Sequence, residues 1–136
     1  MNFYNKISLL LALFVGVIIF CWSAVPGFEG SPGFNLLPII YHVGIFFLLG
    51  SFLFLAAWDN FKESSILIVI LISLAYAASD ELHQFFVPNR GCSITDFGID
   101  SFGILISLGF VLFFRLFRKK RILNKLTSFC KKPRHF

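Results

Sequence analysis

The stretch LLPIIYHVGIFFLLGSFLFLAAW, Leu36 to Trp58, carries no Lys, Arg, Asp or Glu, and His42 is its only residue that readily takes a charge. A bilayer-spanning helix needs about 20 mostly apolar residues. This stretch is long enough, and its apolar residues run continuously. A barrel strand would be shorter and would alternate apolar with polar, so the segment reads as a transmembrane α-helix whose backbone groups bond internally. Three further windows have the same character: Ile7 to about Val25, about Ser65 to Phe86, and about Phe97 to Phe117. The whole chain of 136 residues is 57% hydrophobic, 18% aromatic and 14% charged. Its mean hydropathy is +0.84. Soluble domains are roughly 25% charged, and a chain this small leaves much of its surface wet. A soluble enzyme and a disordered protein are both excluded by these figures.

The connections between the windows are short. VPGFEGSPGFN, Val25 to Asn35, is a Gly/Pro loop; DNFKES, Asp59 to Ser64, is a tight polar turn; VPNRGCSIT, Val87 to Thr95, contains Pro88-Asn89, a turn former. Short connections make sequential helices antiparallel neighbours. The fold class is therefore an all-α membrane protein of four antiparallel transmembrane helices. Residues 1–117 form one transmembrane domain and residues 118–136 a basic tail. In that tail Leu116, Ile122, Leu123, Leu126 and Phe129 share one helical side, with Lys and Arg elsewhere. This predicts an interfacial helix on anionic headgroups, with membrane lipids as its partners and no nucleic acid. Lys6 before an apolar run also fits a signal peptide. Cleavage after Ala24 would need a small residue where Trp22 stands, which favours a retained span.

Basic residues set the orientation. With the N-terminus inside, Lys6, Lys62 and the nine Lys and Arg from Arg115 to Arg134 lie inside, and Arg90 lies outside. Trp22 and Trp58 then fall near opposite boundaries. Cys21, Cys92 and Cys130 form neither a C-x-x-C pair nor a disulfide framework.

The seven acids are unevenly placed. Asp59 and Glu63 lie in the inner turn and Glu29 in the outer loop. Asp80, Glu81, Asp96 and Asp100 flank the other outer loop. Topology brings them to one leaflet with His42, His83, Gln84 and Arg90. Ser73, Ala77, Asp80 and Gln84 form an i, i+4, i+7, i+11 stripe, and Asp96, Asp100, Gly103 and Ser107 form a second. The two stripes are expected to face each other, with Glu81 turned about 100° away from Asp80. Structural roles are open to several of these residues. Ser93 and Asp96 in SITD match a capping box with Asp in place of Glu. Arg90 fits a headgroup anchor, His42 a hydrogen-bonded packing histidine, and His83 a ring facing interfacial water. Asp80 and Asp100 lie at membrane depth, where acids are costly and default to functional candidates.

DELHQFFVPNRGCSITDFGIDSFG, Asp80 to Gly103, resembles the signature of the VanZ-like family of small bacterial membrane proteins. That signature is an Asp-Glu pair, then Gln, a turn with Pro and Arg, then Asp, a position usually Asn, and Gly. It falls here on Asp80, Glu81, Gln84, Pro88, Arg90, Asp96, Asp100 and Gly103. Upstream, His42 in YHVGIFFLLG matches the family's His. The resemblance covers about Cys21 to Val111. Asp100 replaces the usual Asn, and Phe46 stands where Tyr is common. The resemblance implies a multi-pass protein of the bacterial cell membrane and a link to glycopeptide resistance, since the family's namesake is a teicoplanin-resistance protein. It implies no settled chemistry.

Two functions compete. In the first, His42, Asp80, Glu81, Gln84, Arg90, Asp96 and Asp100 bind the head of an amphipathic cell-envelope ligand, its tail lying along Phe-rich walls. No cofactor is needed. A lipid-linked cell-wall intermediate or a lipidated glycopeptide fits, with Arg90 on an anionic group. In the second, the acids hold Mg²⁺ or Ca²⁺ for a phosphate-ester or pyrophosphate hydrolase, with His42 as base. No nucleophile motif supports covalent catalysis, and a transporter is disfavoured because four helices are few and no charge lies mid-membrane.

The orientation is testable. With Cys21 and Cys130 replaced by Ser, a membrane-impermeant maleimide is expected to label Cys92 in intact cells. Labelling only after the inner face is opened would invert the topology.

Overall fold

A computed structural model describes residues 2–26, 36–60 and 62–130, with side chains described as far as residue 124. Most of the Gly/Pro loop with Glu29, the side chains of Leu126 and Phe129, and the last basic residues lie outside the described residues. The chain forms α1 (Phe3–Ser23), α2 (Leu36–Ala56), a single 3-10 turn (Trp58–Asn60), α3 (Glu63–Phe85) and α4 (Ile94–Cys130). All four helices are long and apolar enough to cross a membrane. Only 22–28% of each apolar window is buried inside the bundle. Leu10, Leu13, Phe14, Leu67, Leu71, Phe102 and Leu105 all point outward and more than half exposed. In water such a surface would drive aggregation. In lipid it is the solvated face, and the chain is a multi-pass membrane protein.

Local chemistry explains the helix ends. α1 begins at Phe3, earlier than Ile7, because Asn2 caps it: its Oδ1 accepts the Asn5 N–H at 3.0 Å. Pro38 sits in the first turn of α2, where a backbone N–H has no intrahelical partner to lose. Glu63 opens α3 and complements the positive end of its dipole. Between α3 and α4 the chain turns at Pro88-Asn89, where Asn89 takes the left-handed conformation (φ 58°) that Asn tolerates better than most residues.

The C-terminal tail is helical, as its spacing predicts, and it continues the fourth helix directly. α4 runs unbroken for 37 residues, so the boundary between residues 117 and 118 falls inside a helix. At a rise of about 1.5 Å per residue it is roughly 55 Å long, well beyond a hydrocarbon core of about 30 Å. No Gly or Pro follows Gly109 until Pro133, and Arg, Lys and Leu sustain helix. The basic segment is a direct extension of the fourth span.

Helix pairing differs in part from the simple neighbour rule. α2 packs most extensively against α4 and then against α1, while α2 and α3, joined by the shortest turn, touch much less. The two stripes do both turn inward: Ser73, Ala77, Asp100 and Ser107 are each 0% exposed. They meet at the polar end, where Asp80 and Asp100 each offer an oxygen within 4.8 Å of the other, and each stripe also packs on a further helix. The α4 stripe lies on α2, because a Cβ on Gly103 would stand 2.6 Å from the Val43 carbonyl oxygen and 3.2 Å from the Phe47 nitrogen, and one on Gly50 would collide with Ser107 Oγ. Small residues let these two backbones approach closely. α3 also reaches α1. Tyr76 donates its hydroxyl to the Gly16 carbonyl at 2.6 Å, beside a core of Ala12, Val15, Ile19, Phe46, Leu49, Ala77 and Ile104. At the opposite end of the bundle, Asn5 donates to Asp59 at 2.9 Å, and Arg115 donates to the Trp58 carbonyl at 3.1 Å while covering its ring.

Gly103→Ala places a methyl against backbone that cannot rotate away. We expect it to destabilise the bundle by about 1–3 kcal/mol, read as a lowered thermal midpoint in detergent. Gly109→Ala, where the new Cβ meets nothing within 4 Å, should leave the midpoint unchanged or raised.

Candidate functional site

α1 and α3 finish, and α2 and α4 begin, at one end of the bundle. The antiparallel order therefore collects polar groups from four helices there, and two networks result. In the first, Asp80 on α3 accepts from Ser23 Oγ on α1 through Oδ1 and from Gln84 Nε2, one turn further along α3, at 2.9 Å through Oδ2. Asp80 and Gln84 are each 5% exposed and Ser23 is 3% exposed. Ser23 was not among the residues singled out from the sequence. The available signal was its position, a hydroxyl at the end of an apolar run that topology delivers to the same leaflet.

The second network joins α2 to α4. His42 Nδ1 lies 2.9 Å from Asp100 Oδ1. The His42 side chain is 14% exposed and that of Asp100 is fully buried. Asp100 reaches His42 because Gly103, one turn on, holds the α4 backbone against Val43, the residue after His42.

Glu81 connects the networks to the loop. Ser93 caps α4 as its sequence suggested, Oγ accepting the Asp96 N–H at 3.2 Å. The reciprocal half of the capping box is not made by Asp96. Glu81 makes it, its Oε2 accepting the Ser93 N–H at 2.7 Å. Glu has the reach, and the α4 N-terminus is a favourable place for its charge. Glu81 thus turns to the start of α4 rather than to His42 or the headgroups. Asp96 is left half-buried, and among the described residues its carboxylate has no hydrogen-bond or ion-pair partner.

Arg90, half-buried in the loop, likewise forms no ion pair among the described residues, where His42–Asp100 is the one pair found. An Arg90 pairing with Asp80 or Glu81 is not made. Ser23, Gln84 and Ser93 occupy the acids instead. His83 does not face water: its ring stacks on Phe20 with centroids 4.5 Å apart, and its Nε2 is buried without a partner. Two carboxylate oxygens are also buried and unpartnered, Oε1 of Glu81 and Oδ2 of Asp100. Asp80, Glu81 and Asp100 each offer one oxygen within 4.8 Å of the others. This is the one donor set among the described residues with the spacing to hold a metal ion. The rim of this end is apolar and exposed, with Trp22 at 56%, Phe85 at 62%, Phe86 at 75% and Ile94 at 90%.

Removing one partner of a buried pair leaves the other uncompensated, at a cost of about 3–5 kcal/mol. His42→Ala should therefore lower the thermal midpoint and membrane abundance. Adding Asp100→Leu, which removes the stranded charge, should restore much of the loss. A double variant no more stable than His42→Ala would show that the pair does not hold α2 to α4.

No curated protein and no solved structure matches the chain. The VanZ/LLP1 family model matches residues 6–118, which include all four spans and every polar residue of this site. With the matched region covering most of its length, the chain belongs to the VanZ/LLP1 family.

Proposed function

We propose that this VanZ-like protein sits in the bacterial cell membrane with both termini in the cytoplasm, and that the polar end of its bundle binds the head of an amphipathic cell-envelope ligand at the outer leaflet. One observation carries the reading: the side chains of Arg90 and Asp96, of opposite charge and half-buried, have no hydrogen-bond or ion-pair partner among the described residues and stand beside a rim of exposed aromatic and aliphatic side chains. A charged ligand head would complete the first pair of groups. An acyl or prenyl tail would lie along the second. The other candidate residues are engaged with each other, so they shape the site: Asp80 with Ser23 and Gln84, Asp100 with His42, and Glu81 with the α4 N-terminus.

The ligand classes that fit are a lipid-linked cell-wall intermediate, whose diphosphate would meet Arg90 through charge-assisted hydrogen bonds, and a lipidated glycopeptide, whose amine would meet Asp96. The role would be accessory to glycopeptide resistance, as for the family's namesake. Binding is favoured over hydrolysis because the charges without partners among the described residues, Arg90 and Asp96, are groups that recognise a ligand, whereas Ser23 Oγ and His42 Nδ1 are each engaged with a carboxylate.

The test is direct binding in lipid nanodiscs of a fluorescent lipoglycopeptide and of a polyprenyl-diphosphate-linked sugar. Arg90→Ala is expected to weaken the diphosphate ligand, and Asp96→Asn the aminated one, each at least tenfold. Membrane abundance and thermal midpoint should stay at the wild-type level, since neither side chain has a partner among the described residues to strand. Equal binding by wild type and both variants would remove these residues from the site.

A further inference from the structure

We propose that Asp80, Glu81 and Asp100 form a binding site for one hard divalent cation, Ca²⁺ in preference to Mg²⁺. The first support is geometric. One oxygen from each of the three residues lies within 4.8 Å of the other two. Ca²⁺ takes several protein carboxylates in flexible geometry, whereas Mg²⁺ gives up its water reluctantly and is usually held by one or two carboxylates. An all-oxygen set also selects hard cations over zinc or copper.

The second support is independent of the clustering. Glu81 Oε1 and Asp100 Oδ2 are buried and have no hydrogen-bond partner, on side chains of residues 3% and 0% exposed. Buried carboxylate oxygens without partners are costly and uncommon. The opposite oxygen of each is held in place, Glu81 Oε2 by the Ser93 N–H and Asp100 Oδ1 by His42. Asp80 is held through both oxygens by Ser23 and Gln84, and each of those oxygens retains a lone pair. The donors thus orient the three carboxylates and leave free lone pairs, as outer partners do around known metal sites.

Charge supplies the third support. Three carboxylates converge at the end of a lipid-embedded bundle, and among the described residues His42 is the only basic side chain within 4.0 Å of any of them. A divalent cation offsets what one imidazole does not. It would also tie α3 to α4, since Asp80 and Glu81 lie on one and Asp100 on the other. Three protein ligands leave several of the six to eight Ca²⁺ positions open to water or to anionic oxygens. The site does not depend on the amphipathic ligand proposed above.

The experiment uses the full chain in phosphatidylcholine nanodiscs, stripped with EDTA and titrated calorimetrically with CaCl₂ and with MgCl₂ against empty nanodiscs. Wild type is expected to take up one Ca²⁺ per chain saturably, with a higher thermal midpoint, and to bind Mg²⁺ at least tenfold more weakly. Asp100→Asn and Glu81→Gln should each weaken Ca²⁺ at least tenfold, while Glu63→Gln, at the opposite end of α3, should bind as wild type does. Absence of saturable Ca²⁺ uptake by wild type overturns the proposal, whether or not the variants fold. So does uptake that persists unchanged in both site variants, or uptake confined to Zn²⁺. Lipoglycopeptide binding measured in EDTA separates failure of this site from failure of the ligand reading.

Discussion

The close approach of α2 and α4 at Gly103 is the constraint on which the rest of the bundle's polar end depends. With no side chain at that position, the α4 backbone lies against the Val43 carbonyl, and Ser107 fits over Gly50 one turn deeper. That contact fixes the height of Asp100 relative to His42 and so makes a 2.9 Å pair out of two residues 58 apart in sequence. In lipid there is no hydrophobic gain from pressing one apolar helix on another, so close backbone packing and interhelical hydrogen bonds carry the association. Gly103 serves the first directly and positions the second.

The polar residues at this end divide by what they bond. Asp80, Gln84 and Ser23 bind α3 to α1, and His42 and Asp100 bind α2 to α4. These are the groups whose loss would loosen the bundle. Glu81 joins α3 to the first residues of α4 through the cap, which also holds the intervening loop against the helices. That loop carries Arg90 and lies next to Asp96, so the two charges without partners among the described residues are presented by a turn anchored at this cap. Position and order of these charges thus follow from the satisfied network beneath them.

The other end of the molecule is built differently. There Asp59 accepts from Asn2 and Asn5, and Arg115 caps the short turn through the Trp58 carbonyl and ring. These contacts use an acid that accepts from neutral amides and a cation that rests on a carbonyl and an aromatic face. No carboxylates converge there among the described residues. From this end α4 continues to Cys130 with Arg118, Lys119, Lys120 and Arg121 exposed. The two ends therefore differ in sign as well as in architecture, acidic and buried at one, basic and exposed at the other.

Much of this was legible in the residues because membrane folds are constrained by few rules. The uncharged run from Leu36 to Trp58 and its three companions have one stable form in lipid, and short loops dictate that Asp80, Glu81, Asp96, Asp100 and His42 share a leaflet. Likewise Pro88-Asn89 marks its own turn, and the family signature stands in the order of the residues. Which side chain bonds which was not legible. Helical spacing reports the face a residue lies on, but not which neighbour covers that face. So the spacing of Asp100, Gly103 and Ser107 does not tell that Gly103 fits α2 while Asp100 also comes near Asp80 on α3, nor that Glu81 completes the cap of α4, since the two are joined only through the turn. Ser23 was overlooked since a lone hydroxyl after an apolar run acquires meaning only when α3 brings an acid beside it. The unpartnered oxygens of Glu81 and Asp100 belong wholly to the tertiary structure: a sequence names the carboxylates present, and only packing decides which of their lone pairs are left without a donor.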